Sequence, residues 1–130
     1  MQTLQQQRAK HALDRVKEAE QKYQGENRNT FVACAENAPA SILINGLGQA
    51  AATLRAQAKG NREDPHRTVY DAVEGWLCRD DEAAPYASQK DLLAAIAAGD
   101  RDSYLHAQAE ALAYLEWLKK FAVAFMKESQ

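Results

Sequence analysis

Residues that break helices or cross-link chains are scarce in this sequence. Its 130 positions include three prolines, six glycines and two cysteines. Scarce proline and glycine favour uninterrupted helices. Cys34 and Cys78 are far apart in the sequence and form neither a metal-binding spacing nor a disulfide framework. We therefore interpret them as reduced, buried thiols.

Long apolar runs are also missing. No segment of about 18 apolar residues occurs, so no membrane span is predicted. The opening stretch MQTLQQQRAK is polar from its start and does not have the pattern of a signal peptide. These absences predict a cytoplasmic protein with no membrane partner. Strict alternation of apolar and polar residues, which would indicate strands, is not found in any segment.

Alanine and helical periodicity are abundant instead. The sequence has 26 alanines, and alanine is the strongest helix former. Apolar residues recur at helical spacing in every segment, and in residues 100–127 they cover more than half of the helix circumference. Such a helix is expected to be packed on several sides. The prediction is all-α: one domain, 1–130, forming a compact bundle of about six or seven helices with a long, largely buried C-terminal helix.

Capping residues and prolines set the expected helix boundaries. Thr3 and Gln6 are predicted to form a capping box at the first helix. Ser88 with Asp91 is predicted to start a helix before Gly99, and Asp100 or Asp102 to cap the last one. The remaining expected segments are a helix over 3–24, a break over 25–29, a short helix over 30–38, a new segment from Pro39, a helix over 47–59 and a helix over 65–78.

The stretch INGLGQ, residues 44–49, places two glycines inside apolar sequence. A phosphate loop would need a different glycine spacing, a following lysine and a preceding strand, and a hairpin would need alternating flanks. A corner between two helices remains. Asn45 and Gly46 are expected to cap it in the left-handed conformation, and Gly48 to permit close backbone approach. Free N–H groups at the next helix start would be open to an anion.

Charge is divided unevenly along the chain. Residues 1–70 hold 10 Lys and Arg against 7 Asp and Glu, and residues 71–130 hold 6 against 11. The division is compatible with chance, but it also permits a basic surface for an anionic partner and head-to-tail contact between copies. The first basic set shares one helix edge that is expected to be exposed: Arg8, His11, Arg15 and Lys22. The second set is Arg55, Lys59, Arg62 and Arg67.

Four stretches together resemble a known family. They are QQRAKHAL near the start, NGLGQAAATL at 45–54, EGWLC at 74–78, and DLLAAI with EALAYLEWLKKFA within 91–122. Their order, their spacing and the total length are similar to those of the small α-helical subunit of the Cmr complex, an RNA-guided, RNA-targeting CRISPR effector. That subunit is the fifth Cmr protein. One departure is Gln108, where a small hydroxyl residue is expected two positions before Glu110.

The resemblance implies a compact helical subunit with no catalytic role, no cofactor and no small-molecule substrate. Copies would stack into a short filament beside the backbone subunit that holds the guide RNA, with the large subunit as a further partner. The groove between the filaments would accommodate guide and target RNA without reading their sequence. Both basic sets would then face RNA phosphates, and such contact needs cations rather than base-reading aromatics. Because exposed charges contribute little to stability, neutralising Arg8, Arg15 and Lys22 is expected to leave thermal stability nearly unchanged.

Two other functional classes stay open at the level of sequence. Arg101 and His106, with four residues between them, match the spacing of HEPN-type helical ribonucleases. His106 and Glu110 lie one turn apart, but no third ligand accompanies them, so no metal site is predicted. No nucleophile with its base is recognisable, so no catalytic residue is predicted. A helical adaptor without RNA contact is the remaining alternative.

Overall fold

The computed structural model describes residues 1–127, and every regular element in that range is a helix. The elements are α1 (Leu4–Lys22), α2 (Gly25–Asn45), α3 (Leu47–Ala58), α4 (Pro65–Leu77), α5 (Leu92–Ala98) and α6 (Arg101–Met126). The predicted all-α class and the expected number of helices are confirmed. The predicted boundaries of α1, α3 and α4 are correct to within two residues.

Side-chain caps begin several of these helices. The Thr3 hydroxyl accepts from the Gln6 N–H while the Gln6 side chain accepts from the Thr3 N–H, so the predicted capping box is confirmed. Asp91 caps α5 and Asp100 caps α6. Ser88 plays no part in the start of α5. It has a left-handed φ of 62° and its hydroxyl donates to Asp80.

The predicted interruptions of α2 are wrong. The helix begins at Gly25 and continues through Pro39 to Asn45. Proline lacks an N–H and therefore removes one backbone hydrogen bond from the helix. The uninterrupted helix keeps Ala35, Ala38 and Ile42 buried along one side, and burial of that side outweighs the lost hydrogen bond.

Helix α6 is the centre of the bundle, because α1, α2, α3 and α4 all pack against it. Leu115 and Leu118 are fully buried, as expected from the apolar coverage of this helix. The same apolar coverage predicts that Trp117 and Phe121 lie largely out of solvent, but both are only partly covered. No helix within residues 1–127 combines the length and the apolar composition that a membrane crossing requires.

Candidate nucleic-acid interface

Arg8, the first residue of the predicted basic edge, turns into the protein. Its Nε and Nη2 donate to the two carboxylate oxygens of Glu110 at 2.6 and 2.9 Å, and only 14% of its side chain is exposed. The indole Nε1 of Trp76 donates to the same carboxylate at 2.9 Å. The hydrogen bond from Arg8 lowers the pKa of Glu110, so this buried carboxylate stays charged. The predicted exposure of Arg8 is therefore wrong.

His11 is also turned inward. Its Nδ1 lies 2.6 Å from the hydroxyl of Tyr114, and its ring meets Trp76 edge-on at 5.7 Å between centroids. A Cβ at Gly75 would lie 3.3 Å from the His11 Nε2, so the absence of a side chain there leaves room for the ring. Burial lowers the pKa of His11 to about 4, and the imidazole is neutral near pH 7. The expected exposure of His11 is wrong, and it carries no charge for a phosphate.

Arg15 and Lys22 lie at the surface but are paired. Arg15 contacts Glu18, and the Lys22 Nζ lies 2.6 Å from a Glu63 carboxylate oxygen. With Arg62 they line one shallow cleft between the second half of α1 and the connection from α3 to α4. The structure thus brings together members of both basic sets. Three carboxylates, of Glu18, Glu63 and Asp71, line the same cleft, so its charges balance.

The second basic set also contains both buried and exposed side chains. Arg67 is only 7% exposed and its Nε donates to Asp71 at 2.8 Å, so it is not available to face RNA phosphates as the resemblance implies. Lys59 and Arg62 are exposed, and Lys59 ends α3 with a φ of 53°. The Arg55 guanidinium lies over the Tyr70 ring, 5.1 Å from its centroid. Within residues 1–127, Arg55, Lys59 and Arg62 form no ion pair.

The corner between α2 and α3 depends on one glycine. Gly46 has a φ of 84°, and a Cβ there would lie 3.1 Å from the Tyr104 hydroxyl. The expected positive φ is confirmed for Gly46, but its ψ of 159° is extended, so it is not a left-handed helical cap, and Asn45, also expected to be left-handed, is instead the last residue of α2. The close approach expected at Gly48 is not observed, since a Cβ there would have its nearest neighbour at an ordinary 3.6 Å.

The first two N–H groups of α3, those of Leu47 and Gly48, have partners from α6. The Leu47 N–H donates to the Gln108 side-chain oxygen at 3.0 Å, and the Gly48 N–H donates to the Tyr104 hydroxyl at 3.0 Å. The expectation that these groups are open to an anion is therefore wrong. Gln108, the position that departs from the expected family residue, supplies one of these two bonds and so ties α6 to the corner.

The two residues of the ribonuclease alternative do not lie on the same face of α6. Arg101 and His106 are both exposed on α6, and a separation of five residues places them about 140° apart around the helix axis. Glu110, the other member of the sequence pair, is held by Arg8. Within residues 1–127 no three His, Cys, Asp or Glu side chains are grouped as a metal site would require.

Both cysteines are free thiols. Cys78 is buried as predicted, whereas Cys34 is only partly buried. Burial raises the pKa of Cys34 to about 12 and that of Cys78 to about 11. Because the thiolate is the reactive form, neither side chain has the character of a nucleophile at neutral pH.

Sequence reasoning missed two organising side chains. Arg28 donates from Nε to the Met126 carbonyl at 3.0 Å and from Nη2 to the Phe125 carbonyl at 3.1 Å, a favourable place for a cation at the end of α6. No local signal marks it, because its partners are almost a hundred positions away. The burial of Glu110 could have been predicted from the sequence. Helical spacing places this carboxylate on the same helix face as Ala107 and Tyr114, which are apolar or aromatic.

Two comparisons place these helices among known proteins. The model of a family described as CRISPR-associated protein (Cas_Cmr5) matches residues 4–125. The crystal structure of a CRISPR-associated Cmr5 family protein from Thermus thermophilus superimposes with a TM-score of 0.74 at 26% sequence identity, covering 98% of this chain and 100% of that one. The family match extends from the first turn of α1 almost to the end of α6. The chain therefore belongs to the Cmr5 family of CRISPR-associated proteins.

Proposed function

We propose that this chain is a non-catalytic structural subunit of the Cmr CRISPR ribonucleoprotein complex. The family match over residues 4–125 carries the proposal. In this role, copies stack into a short filament beside the backbone subunit, contact the large subunit, and line the path of guide and target RNA. A structural role is supported by the way the interior polar groups are used, since Arg8 and Trp76 both donate to Glu110 and so hold α1, α4 and α6 together.

The RNA-facing surface in this proposal is centred on the end of α3 and the loop that follows. Lys59 and Arg62 are exposed cations without an ion pair in residues 1–127, and Arg55 lies one turn before Lys59. Long, unpaired cations suit contact with phosphates in any sequence. Arg15 and Lys22 extend this surface across the shared cleft, because their carboxylate partners are exposed and compete weakly.

Co-purification tests the assignment as a subunit. The tagged chain, expressed in its native host, is expected to bring down the other Cmr proteins together with a guide RNA. Recovery of the chain alone, under salt conditions that preserve ribonucleoprotein complexes, would favour the adaptor alternative. Incubation of the pure chain with RNA tests the ribonuclease alternative, which would be correct if cleavage occurred and His106→Ala abolished it.

A salt titration tests the RNA-facing surface. In the reconstituted complex, the triple variant Arg55→Ala, Lys59→Ala, Arg62→Ala is expected to bind target RNA more weakly. Its salt slope should be smaller by about one for each phosphate that the variant no longer neutralises. The matched control removes three other cations that form no ion pair in residues 1–127: Lys90, Arg101 and Lys120. The control should keep the wild-type slope. Equal slopes in both variants would place the RNA path elsewhere.

A further inference from the structure

The corner between α2 and α3 contains a chemically susceptible dipeptide, Asn45-Gly46. The chain has five asparagines, and only Asn45 is followed by glycine. The other four are Asn27, Asn29, Asn37 and Asn61. An asparagine amide is most open to attack when glycine follows, because glycine has no side chain to hinder the approach of its own backbone nitrogen. Asn45 is also exposed, so water reaches its side chain.

The reaction at such a dipeptide is intramolecular deamidation. The backbone nitrogen of Gly46 loses its proton and forms a bond to Cγ of Asn45, while the bond from Cγ to the side-chain nitrogen breaks and ammonia leaves. Water, the only co-reactant, then opens the resulting five-membered ring at one of its two carbonyl carbons. One opening leaves aspartate. The other leaves isoaspartate, in which the backbone runs through the side chain and is longer by one carbon.

The closed corner keeps the attacking nitrogen unavailable. The Gly46 N–H donates to the Ile42 carbonyl at 2.8 Å, which is the bond that ends α2. Ring closure needs a rotation about the Cα–C bond of Asn45 that differs from the helical one, and this rotation moves Gly46. Gly46 has little room to move, since a Cβ built on it would lie 3.1 Å from the Tyr104 hydroxyl and 3.7 Å from the Gln108 side-chain oxygen.

Helix α6 holds the chain directly after the reacting nitrogen. The Leu47 N–H donates to the Gln108 side-chain oxygen and the Gly48 N–H donates to the Tyr104 hydroxyl, each at 3.0 Å. Before the nitrogen, the last turn of α2 buries little, because Leu43 and Ile44 are 72% and 79% exposed. Opening of the corner therefore costs few apolar contacts and is limited mainly by these hydrogen bonds.

We propose that Asn45 is a deamidation site whose rate is set by the opening of this corner. While the corner is closed, Asn45 keeps its amide, and each opening frees the Gly46 nitrogen for attack. The longer backbone of the isoaspartate product no longer allows Gly46 to bind Ile42 while Leu47 and Gly48 bind α6, so the corner stays open. This inference goes beyond the proposed function and does not depend on it.

Mass spectrometry of the digested chain, after incubation over days in mildly alkaline buffer, measures the reaction. Unfolding in urea should raise the rate at Asn45 by about tenfold or more, since it removes the hydrogen bonds that hold the corner. Asn37 is the internal control. It is exposed on the same helix but is followed by Ala38, whose side chain hinders ring closure, so its amide should stay intact in both states.

A pair of variants separates local opening from global unfolding. Gln108→Ala removes one of the bonds from α6 and should raise the rate in the folded chain by about two- to tenfold. Tyr104→Phe, which removes only the hydroxyl that binds Gly48, should act in the same direction. Thr3→Ala is the matched control, because it removes a helix cap of similar worth at the start of α1, away from the corner. Circular dichroism checks that all three variants fold.

Three outcomes would overturn the inference: equal rates in the folded and the unfolded wild type, no acceleration by Gln108→Ala and Tyr104→Phe, or an equal acceleration by Thr3→Ala. Hydrogen exchange then tests the product. Chains that carry isoaspartate should exchange the Leu47 and Gly48 N–H groups faster than Asn45→Asp does, since that variant changes the charge but not the backbone length. Equal protection in the two would contradict the lasting opening. All these measurements use the isolated chain, so their failure leaves the proposed function standing.

Discussion

Helix α6 is packed by different means on its two sides. Towards α1 and α4 it meets a polar seam, which we define as Arg8, His11, Trp76, Glu110 and Tyr114, joined by hydrogen bonds of 2.6–2.9 Å. Towards α2 and α3 it meets mainly apolar side chains and borders an open groove, and the hydrogen bonds of Tyr104, Gln108 and Arg28 lie nearer its two ends. In a seam of this kind each group needs its partner, so the register of the helices is fixed. Apolar packing is less directional, and here it leaves a groove open.

The largest expected effect comes from breaking the seam at its carboxylate. Glu110→Leu leaves the Arg8 guanidinium and the Trp76 N–H without their acceptor. Removing one member of a buried ion pair typically costs about 3–5 kcal/mol, because the other charge stays buried and unpaired. Urea unfolding monitored by circular dichroism measures this loss.

The double variant Arg8→Met, Glu110→Leu is the control for that prediction. It removes both charges, so it should recover part of the stability lost in Glu110→Leu, and the recovered part measures the cost of the orphaned guanidinium. If the double variant were less stable than Glu110→Leu alone, an unpaired Arg8 guanidinium would not be costly and this prediction would be wrong.

The matching substitution on the apolar side is Leu115→Ala. Leu115 is fully buried, but it borders the groove, so the space left behind is continuous with an existing opening. We expect a loss of about 2–3 kcal/mol, in the lower part of the range for buried leucines, since the penalty grows with the enclosed cavity. Leu112→Ala, at a partly buried position of the same helix, should lose less. If Leu115→Ala lowered the free energy of unfolding more than Glu110→Leu does, the apolar side of α6 would be more sensitive to substitution than the polar seam, contrary to this comparison.

The seam should also make stability depend on pH. The pKa of His11 is lowered to about 4 in the folded chain, against an ordinary value of 6.5. Between these values the unfolded chain binds a proton that the folded chain does not, so the free energy of unfolding should fall as pH is lowered from about 6.5 to about 4. His11→Gln should flatten this slope, and His106→Gln, at an exposed histidine, should keep it. Unfolding curves across that pH range would contradict the assignment if both variants kept the wild-type slope.

The smallest effect is expected on the outer part of the first basic edge. Arg15→Ala combined with Lys22→Ala breaks two surface ion pairs and should cost less than about 1 kcal/mol. Arg8→Ala alone should destabilise more, which corrects the sequence-based expectation that all three charges are dispensable for folding. Thermal unfolding of the two variants decides the order. Equal melting temperatures would mean that Arg8 behaves as a surface residue.

Local sequence determined much of this protein. Alanine content, capping residues and apolar spacing predicted six or seven helices, because helix formation is governed by neighbours within a few positions. The capping box at Thr3 and the positive φ at Gly46 followed from the chemistry of single residues. The order of four helical stretches indicated the family that the match over residues 4–125 then established.

Only the tertiary structure decided which face of each helix met which partner. Helical spacing put Arg8 and Arg15 on one edge, but it did not reveal that Glu110, about a hundred positions away, would draw Arg8 inward. Pro39 predicted a break that the buried side of α2 overrode. The groove beside α6 exists because α2 and α3 pack side by side. Spacing fixes what lies together on one helix, whereas burial and ion pairing depend on contacts between helices, and those form only when the chain folds.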